Sequence, residues 1–396
     1  MDKEGLMRGY LRPDGRVGIR NRVLVLPTVG CANHVAARIA SAVPGCVTLP
    51  NSKGCGQVGT GIQIMRRCLV NLTQNPNVAA TLLVGLGCET TRPYELLESI
   101  KQLSDKPVEI LTIQECGGSV NAIARGTEIA RGLVIRAARA ERPALDPSQI
   151  VLGTNCGGSD ATSGLAANPA IGIVSDAIVE SGGTVMLGET TELIGTEDIL
   201  AARAGTGSVA RDILRIVHGL ETEFDEAHVD VRGANPSPGN MRGGLSTLEE
   251  KALGGIVKGG TSPITEVVGY GEIPSQRGLV IMDTPGYDIE SISGMIAGGA
   301  QAILFSTGRG TPIGNQLVPI IKVTGNDEVA SSMGDNIDFD ASSAILGESS
   351  VASLGGSLLD LLEGVCDGVK TKAEVLGFND FSIYHNQELW CTCEQC

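Results

Sequence analysis

The chain has 396 residues, 42% of them hydrophobic, which is enough to bury two ordinary cores. Its formal charge of −15 sets up a long-range field that repels nucleic acid and anionic membrane surfaces, so neither is expected as a partner. No apolar run is long enough to span a bilayer and "MDKEGLMRGY" lacks the apolar core of a signal peptide, so the expected location is the cytoplasm.

Only 3% of the residues are aromatic while 54 are glycine, so packing must rest on Val, Ile, Leu and Ala with many tight turns. That texture points to an α/β enzyme. "RVLVLPTVGC" (Arg22 to Cys31) is a β-branched run ending at a Gly-Cys turn, and "NHVAARIASAV" after it has helical periodicity. "VAATLLVGLGC" leads in the same way into "PYELLESIKQL", and "VEILTIQECGG" into a long helix. Alternating strands and helices predict parallel sheets with working groups at the strands' C-terminal ends. "ERPALDPSQ", from Glu141, carries two prolines and reads as a boundary. The pattern then restarts with "QIVLGTNC", a helix from about Pro169, and "TVMLGET". A polar helical stretch from about Glu197 to His228 precedes "GANPSPGNMRGG", which has too many breakers to be regular. "RGLVIMDTPG", "AQAILFSTGRGTPIG" and "PIIKVTGN" repeat the strand-and-glycine-loop unit. The expected fold is therefore α/β: two Rossmann-like domains, residues 1–143 and 144–390, with mostly parallel sheets, Gly-rich loops at the strand ends and a Cys-rich tail, 391–396.

Eleven cysteines, an odd number, do not read as a disulfide framework. Cys55, Cys88, Cys116 and Cys156 share one setting, a glycine-flanked strand or loop exit. Taken singly, each could be a small buried residue at a turn. Taken together they suggest thiolates converging on iron, either Fe2+ or a [4Fe-4S] cluster with one open iron. Structural zinc fits less well, because paired C-x₂₋₄-C spacings are lacking.

Other motifs narrow the chemistry. "DTPG" resembles part of a GTPase, but the chain has no phosphate-binding G-x-x-x-x-G-K-[ST] loop. "GLGCET" lacks the third glycine of a dinucleotide fingerprint, which weakens a dehydrogenase reading. Arg309, between glycines after a strand, is suited to hold a carboxylate. Lys251 and Lys258, seven residues apart, fall on one helical face as anion-binding or solvated cations. His34, at the start of a helix, is a candidate ligand or proton shuttle as well as a capping or surface residue.

The segments "GYLRPDGRVGIRN", "GCGQVG", "VGLGCE", "CGGSDATSGLAANPAIG", "NPSPGNMRGGLSTLEEKALG", "MDTPGYD" and "GGAQAILFSTGRGTPIG" together resemble the altronate/galactarate dehydratase family, which also includes the large subunit of sulfolactate sulfo-lyase. The resemblance runs from about Gly9 to Gly377. It implies a lyase that carries out β-elimination from a small anionic 2-hydroxy acid, giving a 2-keto acid with loss of water or, in the alternative, of sulfite. It further implies iron held by Cys55, Cys88 and Cys156. Fused relatives place another residue at the Cys116 position, which sets Cys116 apart. Ser159, Asp160, Arg309, His34 and Lys258 are then the candidate catalytic residues, with Ser159 and Asp160 offering hydrogen bonds. Fused relatives also carry a small SAF-type domain ahead of the first motif, so a separate small subunit is expected as partner to a dimer of this chain. A non-catalytic iron–sulfur protein is the rival from another class.

Overall fold

The structure, a computed structural model, describes residues 7–57 and 59–385; the 391–396 tail lies outside them. A hairpin of β1 (Tyr10–Leu11) and β2 (Val17–Gly18) leads into β3 (Arg22–Pro27), α1 (Asn33–Ala42), β4 (Cys46–Thr48), α2 (Thr60–Gln74), β5 (Val78–Gly85), α3 (Pro93–Leu103), β6 (Val108–Thr112) and α4 (Ser119–Ala137). Strands β3 to β6 form a four-stranded parallel sheet in the order β4-β3-β5-β6. Every residue of β5 is buried, as expected of a strand covered on both faces, and its sequence VAATLLVG is accordingly almost wholly apolar.

The second sheet has seven parallel strands: β7 (Val151–Cys156), β8 (Thr184–Leu187), β9 (Ile264–Val268), β10 (Gly278–Met282), β11 (Ala302–Ser306), β12 (Ile320–Thr324) and β13 (Phe339–Asp340). Their order is β13-β12-β11-β7-β8-β10-β9. Between and after them come α5 (Asn168–Glu180), α6 (Glu197–Ala202), α7 (Gly207–Glu226), α8 (Val231–Ala234), α9 (Pro238–Arg242), α10 (Leu248–Ile256), α11 (Asp288–Ala297), α12 (Asp327–Ser332), α13 (Val351–Cys366) and α14 (Lys372–Leu376). The Glu197–His228 stretch is two helices, parted at Gly205 and restarted where the Thr206 side chain accepts the Val209 amide. The breaker-rich "GANPSPGNMRGG" segment, expected to be irregular, contains α9. Pro238 sits in its first turn, where a missing N–H costs nothing, and Ser237 with Asn240 forms a reciprocal cap.

Three apolar clusters explain the layering. One packs α1 and α4 on the outer face of the first sheet. Another packs α5, α7 and α13 on the outer face of the second. The third is continuous between the sheets: Leu24, Leu83 and Met65 of the first half meet Met186, Met295 and Phe305 of the second. A fully buried side chain of this size contributes about 1.5–3 kcal/mol relative to an exposed one, so the shared layer couples the two sheets strongly.

One polar contact closes the ends of the chain onto each other. Arg20, after the hairpin, donates from Nε and an Nη to the two oxygens of Glu374 at 2.8 and 2.9 Å, and to the carbonyls of Val365 and Val369. Burial alone would raise the Glu374 carboxyl, but the hydrogen bonds and charge of Arg20 outweigh it and hold the group below its ordinary value. The pair's contribution is therefore complete above a pH of about 4.3 and is lost as pH falls through the depressed value. Glu374→Gln is expected to cost about 3 kcal/mol in urea unfolding at neutral pH, because it strands a buried guanidinium. The difference from the parent chain should shrink in acid; an equal difference at both pH values would show that the ion pair is not its source.

Candidate active site

In an open parallel sheet, ligands bind where the strand order reverses, outside the strands' C-terminal ends. Here β7 sends its chain to β8 on one side, while β11 lies on its other side. The reversal therefore falls between β7 and β11, and its crevice is built from the loops Gly157–Asp160 and Thr307–Arg309. These are the loops that contain Ser159, Asp160 and Arg309.

Two glycines make the crevice possible. A Cβ at Gly157 would lie 2.3 Å from an Asp288 carboxylate oxygen, and one at Gly308 would lie 2.1 Å from the Asp160 carboxyl carbon. Either distance is far inside contact, so both positions must lack a side chain for the acids to approach. Gly158 adopts φ +60, and Arg309 leans over it. Asp160 is fully engaged: one oxygen accepts from Thr162 Oγ1 (2.6 Å), the Ser163 amide and Ser163 Oγ, and the other from Asn326 Nδ2 (3.0 Å). It thus ties the β7 exit to the loop after β12. Ser159 is buried, and its carbonyl accepts from Asn240 Nδ2 on α9. Ser159, Asp160, Asn168, Leu245 and Lys251 line a cavity of about 230 Å³. Arg309 is exposed and makes no ion pair among the described residues.

Beneath the cavity lies a buried cage of charge. Side chains alternate along β7, so Cys156 faces α5 and α10 while Gly157 faces α11. Lys258 follows α10 in a short 3₁₀ turn and is wholly buried; its Nζ lies 3.0 Å from Cys156 Sγ, 3.1 Å from Glu189 and 3.5 Å from Glu192. Lys251, two turns earlier on the same face, reaches Glu192 at 3.0 Å and also lines the cavity. Glu189 is held at φ 68, a left-handed conformation that is rare outside glycine and is typically kept at functional sites. That turn lets its carboxylate accept the Cys156 amide.

The electrostatics follow from burial. Burial, then the charge of Glu192, pushes the Glu189 carboxyl up to about 8. Burial would raise Glu192 too, but Lys251 and Lys258 outweigh it and hold that carboxylate low. Burial and the two glutamates push Cys156 well above the ordinary thiol value, which suits the 2.6 Å hydrogen bond that it donates to Glu192. Burial opposes charge on Lys258, yet the interactions with Cys156, Glu189 and Glu192 outweigh it and hold its ammonium well above the ordinary value. Asp288, at the start of α11, is raised to about 7 by burial and then by Glu192.

Cys156, Glu189 and Glu192 are, among the described residues, the group of ligand atoms close enough to hold one metal ion, and they could do so. Glu189 Oε1 is buried without a partner, which suits an added ligand. The Lys258 ammonium already lies within 3.0–3.5 Å of all three donors, so ion and ammonium would compete for one place.

The other thiols read as iron ligands lie elsewhere. Cys55, Cys88 and Cys116 sit at the ends of the first sheet, the first two exposed and the third half-buried. The Cys55 and Cys88 loops touch, since the Thr91 amide donates to the Gly54 carbonyl and Thr90 Oγ1 lies 3.9 Å from Cys55 Sγ. His34 is exposed on α1, in the layer turned away from the second sheet. Glu189, Glu192 and Asp288 were not singled out from sequence. Their signal was available: each is an acid within a few residues of a strand exit, in "LGETTE" and "DTPGYD".

Lys258→Met would leave two glutamates buried without their central cation, and it is expected to lower stability by about 3–5 kcal/mol. Urea unfolding of both chains checks this, and an unchanged midpoint would mean that the cage is not held by the ammonium.

Residues 9–138 match the second domain of D-galactarate dehydratase/altronate hydrolase, and residues 147–389 match the C-terminal domain of D-galactarate/altronate dehydratase. The chain is 36% identical over 377 residues to the (2R)-sulfolactate sulfo-lyase subunit beta of Chromohalobacter salexigens, covering 95% of this chain and 96% of that one. It is 35% identical over 344 residues to altronate dehydratase of Bacillus subtilis, covering 84% and 68%. It is 33% identical over 399 residues to the L-threo-forming galactarate dehydratase of Escherichia coli, covering 96% and 75%. These relatives are named as enzymes, so the non-catalytic iron–sulfur reading finds no support.

Proposed function

Since the chain belongs to the D-galactarate/altronate dehydratase family, we propose that it is a lyase that removes a β-substituent from a small 2-hydroxy acid to give a 2-keto acid. The observation that carries this reading is the crevice between the β7 and β11 exits. There Arg309, with no ion pair among the described residues, leans over Gly158, while the neighbouring Ser159 and Asp160 line a cavity of about 230 Å³ that Lys251 of the charged cage also lines. The proton at C2, next to a carboxylate, becomes acidic only if the charge that develops on that carboxylate is stabilised. Arg309 can hold it with two parallel hydrogen bonds, and Lys251 presents an ammonium at the cavity wall. Ser159 offers a hydroxyl to the substrate, Asp160 keeps the loop in place, and Lys258 keeps Glu192 ionised against Lys251.

Loss of water from a sugar acid is the main reading. Loss of sulfite from 3-sulfolactate is favoured by one observation, that this chain covers 96% of the sulfo-lyase subunit against 68% of the B. subtilis dehydratase. That relative is named as a subunit, which supports a smaller partner chain here as well. We divide the molecule at residue 143/144, a Rossmann-like unit for each sheet, with the site on the second. Iron, which the resemblance implies, would supply a Lewis acid for the substrate's carboxylate and hydroxyl. Among the described residues, the place that brings three ligand atoms together for it is the cage at Cys156, Glu189 and Glu192.

Incubation of the full chain with D-altronate, galactarate and (2R)-3-sulfolactate, followed by measurement of 2-keto acid, tests the reading; turnover of at least one is expected, and none with all three overturns it. Arg309→Lys should raise KM about tenfold, because an ammonium cannot reproduce a planar two-point contact, and tenfold corresponds to about 1.4 kcal/mol. Unchanged KM and kcat would make that loop structural.

A further inference from the structure

The acids around the crevice differ in what they already hold. Asp160 accepts four hydrogen bonds. Glu189 is bound to Lys258 and the Cys156 amide, and Glu192 to Lys251, Lys258 and Cys156. Asp283 accepts from Thr190 Oγ1 at 2.6 Å. Asp288 is the exception: no hydrogen bond or ion pair from another residue reaches its half-buried carboxylate among the described residues. It stands against Gly157, whose missing side chain makes the room, while Arg309 stands against Gly158. The Asp288 carboxylate thus stands at one glycine of the β7 exit, and the Cβ and Cγ of Arg309 stand at the next. A substrate whose carboxylate is held by the guanidinium and whose α-proton is taken by the carboxylate would use both groups.

Resting on the lyase reading above, we propose that Asp288 is a further catalytic residue, the base that takes the C2 proton of the 2-hydroxy acid held by Arg309. The C–H electron pair becomes the C2=C3 bond, and the C3–O pair leaves with the oxygen. That oxygen takes the proton from the Asp288 carboxyl and departs as water. With a sulfonate at C3 the C–S pair leaves as sulfite instead, and Asp288 returns its proton to solvent. The enol then loses its hydroxyl proton and gains one at C3, giving the 2-keto acid. The charged groups around Asp288 suit both halves of the cycle. Glu189 and Glu192 on the β8 exit favour its protonated form, while Lys251 and Lys258 beside α10 favour its anion.

The test uses the full chain, with a substrate that the parent turns over and with the same substrate deuterated at C2. Asp288→Asn should fold with the parental melting temperature and lose about 10²–10⁴-fold in kcat, the range of general-base catalysis, with KM little changed. Asp288→Ala should regain part of the loss with added formate, a small carboxylate able to enter the space left by the side chain, and the regained rate should show a deuterium effect. Parental kcat in Asp288→Asn overturns the proposal. So does a folded Asp288→Ala chain that formate does not restore, because that result assigns a purely structural role. Should neither variant fold, Gly157→Ala replaces them: its Cβ must displace the Asp288 carboxylate, and full turnover in that chain overturns the proposal. A parent chain inactive on every 2-hydroxy acid overturns the lyase reading itself, whereas an active parent with an active Asp288→Asn overturns only the role of Asp288.

Discussion

The Lys258 ammonium, buried with no exposed surface among a thiol and two glutamates, is the constraint on which the site depends. A charge taken out of water at that depth is tolerable only when its partners surround it closely. The requirement brings together three segments distant in sequence: the end of β7, the turn after β8 and the turn after α10. The left-handed backbone at Glu189 is a local strain accepted to complete the cage. With Cys156 anchored from both its amide and its sulfur, the next four residues have little freedom, and these form one wall of the crevice.

The same chemistry, a carboxylate near a glycine, serves two purposes a few residues apart. At Gly308 the approaching acid is Asp160, whose oxygens are saturated by Thr162, Ser163 and Asn326; it holds two loops at a set distance. At Gly157 the approaching acid is Asp288, which holds nothing. A carboxylate with every lone pair occupied is a strut, whereas one without a partner in a half-buried place has its affinity for protons set by burial and nearby charge. The difference lies in the surroundings, since the two residues are the same amino acid.

The sheets cannot be regarded as separate bodies placed side by side. Their facing helices α2, α3 and α11 share one apolar layer, and Arg20 reaches from the beginning of the first half to Glu374 near the end of the second. A sequence boundary marked by prolines therefore separates two sheets without separating two cores. The cysteine-bearing exits of the first sheet are held at a set place relative to α2, and through α2 relative to the second sheet.

Much of this was legible in sequence because it is written in local pattern. Apolar runs ending in glycine located β3, β5, β6, β7, β8, β10, β11 and β12, and the short strand β4 escaped because Cys46–Thr48 is too brief to show a period. The glycine-flanked Ser159, Asp160 and Arg309 stood out, and the structure places them on one crevice. The seven-residue spacing of Lys251 and Lys258 indicated one helical face, and both reach Glu192. Sequence could not show that Cys156 would leave the company of Cys55, Cys88 and Cys116. All four share the same flanks, but a strand's membership in one sheet or another is a long-range pairing with no local signature. For the same reason Glu189, Glu192 and Asp288 looked like ordinary acids near turns. Glu189, Glu192 and Lys258 lie 33, 36 and 102 residues from the Cys156 that they contact, and only the folded chain decides which acids are buried, which are paired and which has no partner among the described residues.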